Sequence, residues 1–171
     1  VCKDHSDLHS KYITEMLKEI SMVLEEMKGK SKKENDSQKS NDKKFLESIY
    51  VGGGTPSRLS IPELSNLLSK VREHLTFSKN VEITFEMNPE DVNPEYLKNL
   101  AKIGVNRLSL GGQSFQDSIL SKLGRCHDAS DLRKACQEIV NSPLHNWNID
   151  LMFGISGQTV SMFKNDVEIA I

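Results

Sequence analysis

Four short apolar segments alternate with helical patterns after residue 45, and this alternation is the feature that most constrains the fold. The strand-like segments are 47–51, 81–86, 105–110 and 148–153, and each is followed by residues with helical spacing. Strands that are joined through helices run parallel, and four of them are too few to close a barrel, which needs about eight. The pattern therefore predicts an α/β protein whose parallel sheet is open or lacks strands.

The residues before the first strand divide into a helix and a polar segment. Apolar side chains recur every three or four positions over 12–27, which predicts an amphipathic helix. The segment 28–44 has no apolar residue and contains seven lysines and three acids. We expect 28–44 to be a disordered, lysine-rich insertion loop, because it cannot bury enough surface to offset its ordering entropy. A polyanion-binding patch is the alternative, but the interleaved acids and the lack of aromatics favour the solvated loop.

Length and charge exclude several classes of protein. The 171 residues correspond to one domain, and 22 basic against 24 acidic residues give a net charge of −2, so no nucleic-acid partner is predicted. No apolar run approaches the roughly 18 residues of a membrane span, and the first residues lack the apolar core of a signal peptide. Three widely spaced cysteines suit a reducing compartment, so we expect a cytoplasmic protein. The apolar last residues are typical of a piece of a longer chain, so 1–171 is predicted to be an incomplete domain.

The cysteines and histidines do not predict a metal site. Cys2, His5 and His9 are spaced like ligands, but the glutamate of a zinc-protease helix and a fourth ligand are both missing. Cys126 and Cys136 match no ligand spacing and are interpreted as structural thiols.

Glycine or polar side chains follow all four predicted strands. They are the GGGT sequence at 52–55, Glu86, the GGQ sequence at 111–113, and Asp150 with Gly154. Ligands of parallel α/β proteins bind at the carboxyl ends of the strands, so these residues predict one binding cavity. The glycine cluster lacks the lysine of a P-loop and is not the dinucleotide fingerprint.

Asp150 is the most informative of these residues. The period of two places it on the face opposite Ile149 and Leu151, and a carboxylate in a buried strand requires a partner. It faces a polar cavity or forms an ion pair with Arg107 or Arg125. Glu86 has two interpretations as well, a ligand for hydroxyl or amino groups and a solvated strand end.

Eight motifs in order resemble one known family. They are YxxxMLxEI at 12–20, GGGTPS at 52–57, ExNP at 86–89, GxNRLS at 104–109, GxQSF at 111–115, LGRxH at 123–127, NxDLMxG at 148–154 and GQT at 157–159. Together they resemble radical S-adenosylmethionine proteins of the oxygen-independent coproporphyrinogen III oxidase type. Three of these motifs, ExNP, GxQSF and LGRxH, are similar to the haem chaperone branch of this family. The resemblance implies a fragment of a partial (β/α)6 barrel.

The resemblance also implies a function in haem or porphyrin metabolism. It implies an S-adenosylmethionine site lined by Gly53, Gly54, Thr55, Glu86, Gln113, Arg125 and Asp150. Backbone groups of the glycines would hold the amino group, the carboxylates would accept hydrogen bonds from ribose or ammonium, and Arg125 would pair with the carboxylate. A reduced [4Fe-4S] cluster would cleave the sulfonium to a radical. A haem chaperone is implied first, with haem or a porphyrin precursor as ligand and a haem-accepting protein as partner. The oxidase, which decarboxylates coproporphyrinogen III, is the alternative.

Three departures from the family pattern bear on activity. The C-x3-C-x2-C cluster motif is absent, so we expect its cysteines upstream and expect the fragment alone to be inactive. Gly112 stands where valine is usual, and Ser156 where proline is usual, which predicts looser packing at the strand ends. Two other classes stay open, a TIM-like enzyme that binds a phosphorylated ligand and a non-catalytic module that carries haem or a partner protein.

Overall fold

The computed structural model describes residues 6–34 and 45–171, with side chains from Lys11 to Glu26 and from Phe45 onward. Six helices and four strands alternate in this part of the chain. They are α1 (Ser6–Glu34), β1 (Leu46–Val51), α2 (Ile61–His74), β2 (Phe77–Met87), α3 (Pro94–Lys102), β3 (Arg107–Gln113), α4 (Asp117–Lys122), α5 (Ala129–Val140), β4 (Trp147–Leu151) and α6 (Val160–Ala170). None of the described helices combines the length and the apolar composition that a membrane span requires.

The strands form one sheet in the order β1-β2-β3-β4. Strands β2 and β3 pair in parallel with Glu86 beside Ser109, and β3 and β4 pair in parallel with Ser109 beside Asn148. The predicted α/β class with parallel β/α repeats is therefore confirmed. The register of β3 and β4 shifts between Leu110 and Gln113, which marks an irregularity where β3 ends.

Several predicted boundaries differ from the structure. Strand β2 begins at Phe77 instead of residue 81, and β4 ends at Leu151, so that Met152 and Phe153 lie beyond it. Helix α1 continues to Glu34 and includes the first seven residues of the predicted loop 28–44. This correction has a physical reason, because lysine and glutamate are good helix formers and no proline interrupts them. The remaining positions, 35–44, lie outside the described residues.

The chain divides into two compact units. The first contains the described residues up to Glu47 and 59–81. Its helices α1 and α2 contribute the buried side chains Ile13, Leu24, Leu64, Leu67 and Leu68. Ser60 and Glu63 form a reciprocal capping box at the start of α2, as the spacing predicts.

The second unit contains Ser48–Arg58 and Glu82–Ile171 and carries the sequence-predicted site. Its core is apolar and includes the buried side chains Phe85, Leu97, Leu100, Leu108, Leu110, Ile119, Leu120, Leu132 and Ile139. The opposite face of β2, β3 and β4 is polar, because the alternate positions hold Glu86, Ser109 and Asp150. The two faces therefore separate a packed core from a polar surface that leads to the strand ends.

Gly112 packs more tightly than the sequence predicts. A β-carbon at this position would lie 2.6 Å from Cδ1 of Ile149, so the isoleucine occupies the volume that a larger residue 112 would fill. The expectation of looser packing here is wrong, because the neighbouring strand supplies the missing atoms.

Candidate functional site

A polar cleft of about 240 Å³ lies at the carboxyl ends of the strands within the second unit. It is lined by Gly54, Thr55, Pro56, Ser57, Glu86, Met87, Asn88, Ser109, Gly111, Gln113, Arg125 and Asp150. Six of the seven sequence-predicted site residues are in this set, and the seventh, Gly53, bonds to one of them. The structure thus brings together residues that are almost 100 positions apart in the chain.

The glycine segment after β1 adopts a backbone that few other residues tolerate. Gly53 and Gly54 have φ values of 82° and 59°, in the left-handed region, and a β-carbon at either would meet open space. At Gly52 a β-carbon would lie 2.7 Å from Cε1 of Tyr50 and 2.8 Å from Cδ of Glu86, so these two side chains would have to move. The segment therefore presents bare backbone toward the cleft.

Glu86 organises this segment. Its Oε2 accepts the backbone N–H of Gly53 at 3.0 Å, and its Oε1 accepts the hydroxyl of Tyr50 at 2.8 Å. The hydrogen bond to the Glu86 carboxylate raises the pKa of Tyr50 above its ordinary value. Tyr50 was not predicted as a site residue, although its position two residues before the glycines on β1 places it on the polar face.

Asp150 lines the cleft from the end of β4. Its Oδ2 accepts the hydroxyl of Ser109 at 2.9 Å and its Oδ1 accepts the side-chain N–H of Asn148 at 2.8 Å. Within the described residues it forms no ion pair with Arg107 or Arg125, so the alternative of a structural ion pair is wrong. The side chain is exposed, and each carboxylate oxygen retains a lone pair for a ligand.

Arg107 acts on Asp150 indirectly. Its Nη2 donates to Oδ1 of Asn148 at 2.7 Å, so the amide nitrogen of Asn148 must face the other way, toward Asp150 and toward Oγ of Ser109 at 3.0 Å. With the amide reversed, an oxygen would face the Asp150 carboxylate. Arg107 therefore determines the orientation of the group that holds Asp150.

Arg125 brings a positive charge to the cleft. Its Nη2 donates to Oδ1 of Asn88 at 2.7 Å and to the carbonyl of Gly111 at 3.1 Å, and its buried Nε has no hydrogen-bond partner. No carboxylate of the described chain lies within ion-pair distance of this guanidinium. A cation that is positioned by neutral groups and lacks a counter-ion is suited to pair with an anionic group of a ligand.

Gln113 ends β3 with a φ of 67°, which is unusual for a residue other than glycine. The backbone N–H of Met152 donates to its carbonyl at 2.8 Å. Its side-chain amide lines the cleft and makes no hydrogen bond within the described residues. The amide is therefore available to a ligand.

His127, the last residue of the LGRxH sequence, lies behind residues of the site. It is buried, with Nδ1 3.2 Å from Oε2 of Glu90 and Nε2 3.3 Å from the carbonyl of Gly112. The hydrogen bond from His127 lowers the pKa of Glu90 below its ordinary value. The histidine of the LGRxH sequence thus connects the turn after β2 with the end of β3 and does not line the cleft.

Asp166 is a buried acid that was not predicted as a site residue. It lies on α6, is fully buried, and accepts hydrogen bonds from the residues that follow Gln113. Amphipathic spacing was the signal that could have found it, because the positions three and four residues away on the helix are all apolar: Met162, Phe163, Ile169 and Ala170.

Metal ligands are not assembled in the described part of the chain, where no group of three histidine, cysteine or acidic residues lies close enough to hold an ion. Cys126 is exposed and Cys136 is half-buried, and neither forms a disulfide within the described residues. Burial raises the pKa of Cys136, which suits an unreactive thiol. Cys2 and His5 lie outside the described residues, as does the side chain of His9.

Comparisons with known proteins bear on this geometry. Residues 18–170 match the sequence model of the Radical SAM superfamily. The heme chaperone HemW of Lactococcus lactis is 42% identical over 123 residues, which are 72% of this chain and 32% of the relative. The heme chaperone HemW of Haemophilus influenzae is 35% identical over 160 residues, which are 94% of this chain and 39% of the relative. The chain thus spans between about a third and two fifths of the length of these relatives.

Solved structures agree with the fold. Coproporphyrinogen III oxidase (HemN) from Escherichia coli, a radical SAM enzyme, matches with a TM-score of 0.66 and 28% identity over 74% of this chain and 29% of that one. The archaeal Elp3 of Methanocaldococcus infernus matches with a TM-score of 0.59 at 24% identity over 71% of this chain and 32% of that one, which supports the fold alone. With the family model matching most of its length, the chain belongs to the radical SAM superfamily.

Proposed function

We propose that this chain binds S-adenosylmethionine in the cleft at the strand ends and that it is the S-adenosylmethionine-binding part of a haem chaperone. The observation that carries the proposal is the pattern of charge in one cleft. Arg125 lacks a counter-ion there, whereas Glu86 and Asp150 lie across the sheet edge with lone pairs to spare.

The charges complement those of the ligand. S-adenosylmethionine carries an ammonium and a sulfonium, which are positive, and one carboxylate, which is negative. The lining residues include two carboxylates and one guanidinium, so the excess of one negative charge in the cleft opposes the excess of one positive charge on the ligand. Charge-assisted hydrogen bonds of this kind are about twice as strong as neutral ones.

Each lining group has a role in this proposal. Arg125 pairs with the ligand carboxylate, and the carbonyl groups of Gly53 and Gly54 with the hydroxyl of Thr55 accept from the ammonium. Glu86 and Asp150 accept from ribose hydroxyls or the ammonium, and the amide of Gln113 is left for the remaining polar atoms. Glu86 also holds Gly53 in place through its backbone N–H, so its loss affects two elements of the site.

The cluster chemistry of the superfamily does not reside in the described residues. A [4Fe-4S] cluster supplies the electron that cleaves S-adenosylmethionine, and cysteine thiolates bind it. Cys126 and Cys136 alone do not fit such a cluster, and no three-ligand group is present in the described part of the chain. The proposed contribution of the described residues is therefore binding and orientation of S-adenosylmethionine.

Haem as the further ligand is supported by the relatives, several of which are named heme chaperones. A haem-accepting protein as partner and a cytoplasmic location follow from the same function, and two cysteines that form no disulfide within the described residues suit a reducing compartment. Coproporphyrinogen III oxidation is the second candidate, favoured by the structural similarity to the oxidase from Escherichia coli. The higher identity to the chaperones supports the first function.

A phosphorylated ligand fits the cleft less well. Glu86 and Asp150 would repel a phosphate, and the glycine segment donates the N–H of Gly53 to Glu86, so this donor is not available to a phosphate. The charge pattern therefore favours a cationic ligand over the phosphate-binding alternative.

Equilibrium dialysis of the 171-residue chain tests the proposal. The probes are S-adenosylmethionine, S-adenosylhomocysteine, which lacks the sulfonium charge, and adenosine monophosphate, which carries phosphate. We expect S-adenosylmethionine to bind most tightly and adenosine monophosphate most weakly. Equal or tighter binding of the monophosphate would contradict the proposed ligand. Titration with hemin, followed by its absorption band, tests haem binding separately. The control is an unrelated protein of the same size and with a similar exposed apolar surface.

A further inference from the structure

Asp166 presents a carboxylate with no exposed surface to a turn of the backbone. Its Oδ2 accepts the hydroxyl of Ser114 at 2.6 Å, and its Oδ1 accepts the backbone N–H of Phe115 at 2.9 Å and the side-chain N–H of Gln116 at 3.2 Å. No cation lies within ion-pair distance of it in the described chain. A buried carboxylate is retained only where such hydrogen bonds compensate its lost hydration, so all of its stabilisation comes from this turn.

The residue immediately before the turn is Gln113, which lines the cleft in a left-handed conformation. A residue with a β-carbon is strained there and persists only where its surroundings over-determine the backbone. The carbonyl of Gln113 accepts the N–H of Met152, and the N–H of Ser114 donates to the carbonyl of Gly112 at 2.9 Å. The second of these bonds spans Gln113, and the bonds to Asp166 hold the residues that follow it.

We propose that Asp166 is the positioning residue of the cleft. By holding Ser114 and Phe115, its carboxylate keeps Gln113 in the left-handed conformation that directs the amide side chain to the cleft. Asp166 does not line the cleft and acts only through Gln113. The importance of this positioning for ligand binding rests on the proposed S-adenosylmethionine site, whereas the positioning itself does not depend on any ligand.

Hydrogen exchange of the Met152 amide tests the positioning without ligand, because this N–H reports on the carbonyl of Gln113. We expect Asp166→Asn to accelerate its exchange about tenfold, the consequence of weakening one charge-assisted bond. Exchange of core amides such as Leu108 and Leu110 should change much less. Glu168→Gln removes an exposed carboxylate from the same helix and is the matched control, with no change expected.

Rescue distinguishes positioning from general loss of stability. Glycine has no penalty for positive φ, so Gln113→Gly combined with Asp166→Asn should restore slow exchange of the Met152 amide. The proposal is overturned if Asp166→Asn leaves this amide unchanged, or if the double variant exchanges as fast as the single one. Should Asp166→Asn fail to fold, Ser114→Ala, which removes one of the three donors, takes its place with the same expectations.

Ligand affinity is measured on the same variants. We expect Asp166→Asn to weaken S-adenosylmethionine binding about tenfold relative to Glu168→Gln, and Gln113→Gly to leave the double variant weak, because the amide is gone. Absence of binding by the unmodified chain would contradict the proposed function, while the exchange experiment would still decide the role of Asp166. Normal affinity in Asp166→Asn would overturn the role of positioning in ligand binding.

Discussion

Asp150 and Asp166, two aspartates of the second unit, lie in opposite environments. Asp150, at the end of β4, is exposed and accepts one hydrogen bond on each oxygen, from Ser109 and Asn148. Asp166, on α6, is fully buried and accepts three from the turn after β3. The Asp150 carboxylate can still accept hydrogen bonds from a ligand, whereas the Asp166 carboxylate accepts its hydrogen bonds from the chain itself.

The difference shows what decides the role of a charged residue. Asp150 stands out in the sequence, since it interrupts an apolar strand, but the structure places it beside solvent. Asp166 is a less conspicuous residue of a helix, yet its removal leaves two buried donors, the hydroxyl of Ser114 and the N–H of Phe115, without this acceptor. A binding residue is exposed and has acceptor positions left for a ligand. A structural residue is buried, and the chain already occupies its acceptor positions.

The largest expected effect is that of Asp166→Ala. We expect the free energy of unfolding to fall by roughly 3–5 kcal/mol, because Ser114, Phe115 and Gln116 lose a shared buried acceptor. Urea denaturation measures the change. Glu168→Gln, on the same helix, should stay within about 0.5 kcal/mol of the unmodified chain. A loss for Asp166→Ala as small as that of the control would remove the contrast between the two aspartates.

Asp150→Asn should have the opposite effect, a loss of ligand affinity with little loss of stability. We expect the affinity for S-adenosylmethionine to fall by roughly 1.5–3 kcal/mol, the scale of a hydrogen bond to a charged group, with little change in unfolding. Dialysis and thermal unfolding of one variant report both quantities. A damaged fold with unchanged affinity would make Asp150 a structural residue like Asp166. Glu138→Gln is the control. Asp128 is unsuitable as a control because its side chain caps α5.

Gly112→Ala tests how tightly the residues beside the cleft are packed. The new β-carbon would overlap Ile149, the residue before Asp150, and we expect a loss of about 1–3 kcal/mol in unfolding free energy. The loss in the double variant Gly112→Ala with Ile149→Ala should be smaller than the sum of the losses in the two single variants, as judged by urea denaturation. Additive losses in the double variant would show that Ile149 is not the obstacle.

Glu90 gives the smallest effect, which depends on pH. Because the pKa of Glu90 is lowered in the folded chain by its hydrogen bond with His127, the folded state binds fewer protons than the unfolded state just below the ordinary value of 4.5. This contribution to stability is complete above that value and is lost as the pH falls through the lowered pKa.

The variant Glu90→Gln should therefore lose less stability than the unmodified chain on acidification below about pH 4.5. Thermal unfolding from about pH 6 to about pH 3 measures the two slopes, with Glu138→Gln on α5 as the control. Parallel curves for Glu90→Gln and the unmodified chain would contradict the role of the His127 contact.

Much of the architecture followed from local patterns. The alternation of strands and helices predicted the parallel sheet, and the glycine and polar residues at the strand ends predicted the cleft that Glu86, Gln113, Arg125 and Asp150 share. Boundaries were less accurate: β2 starts four residues earlier than expected, and α1 continues into the lysine-rich segment. Helix propensity of lysine and glutamate outweighed the absence of apolar residues there.

What the sequence by itself determined is therefore the fold class and the edge of the sheet where a ligand binds, because both depend on periodicity and on the parallel direction of the strands. Only the tertiary structure decided which partner each polar group takes. Asn148 came to orient Asp150, Ile149 filled the space beside Gly112, and Asp166 reached the turn that follows Gln113. Those contacts join positions that are 2 to 52 residues apart. Local patterns in a single sequence do not show which distant residues will be in contact.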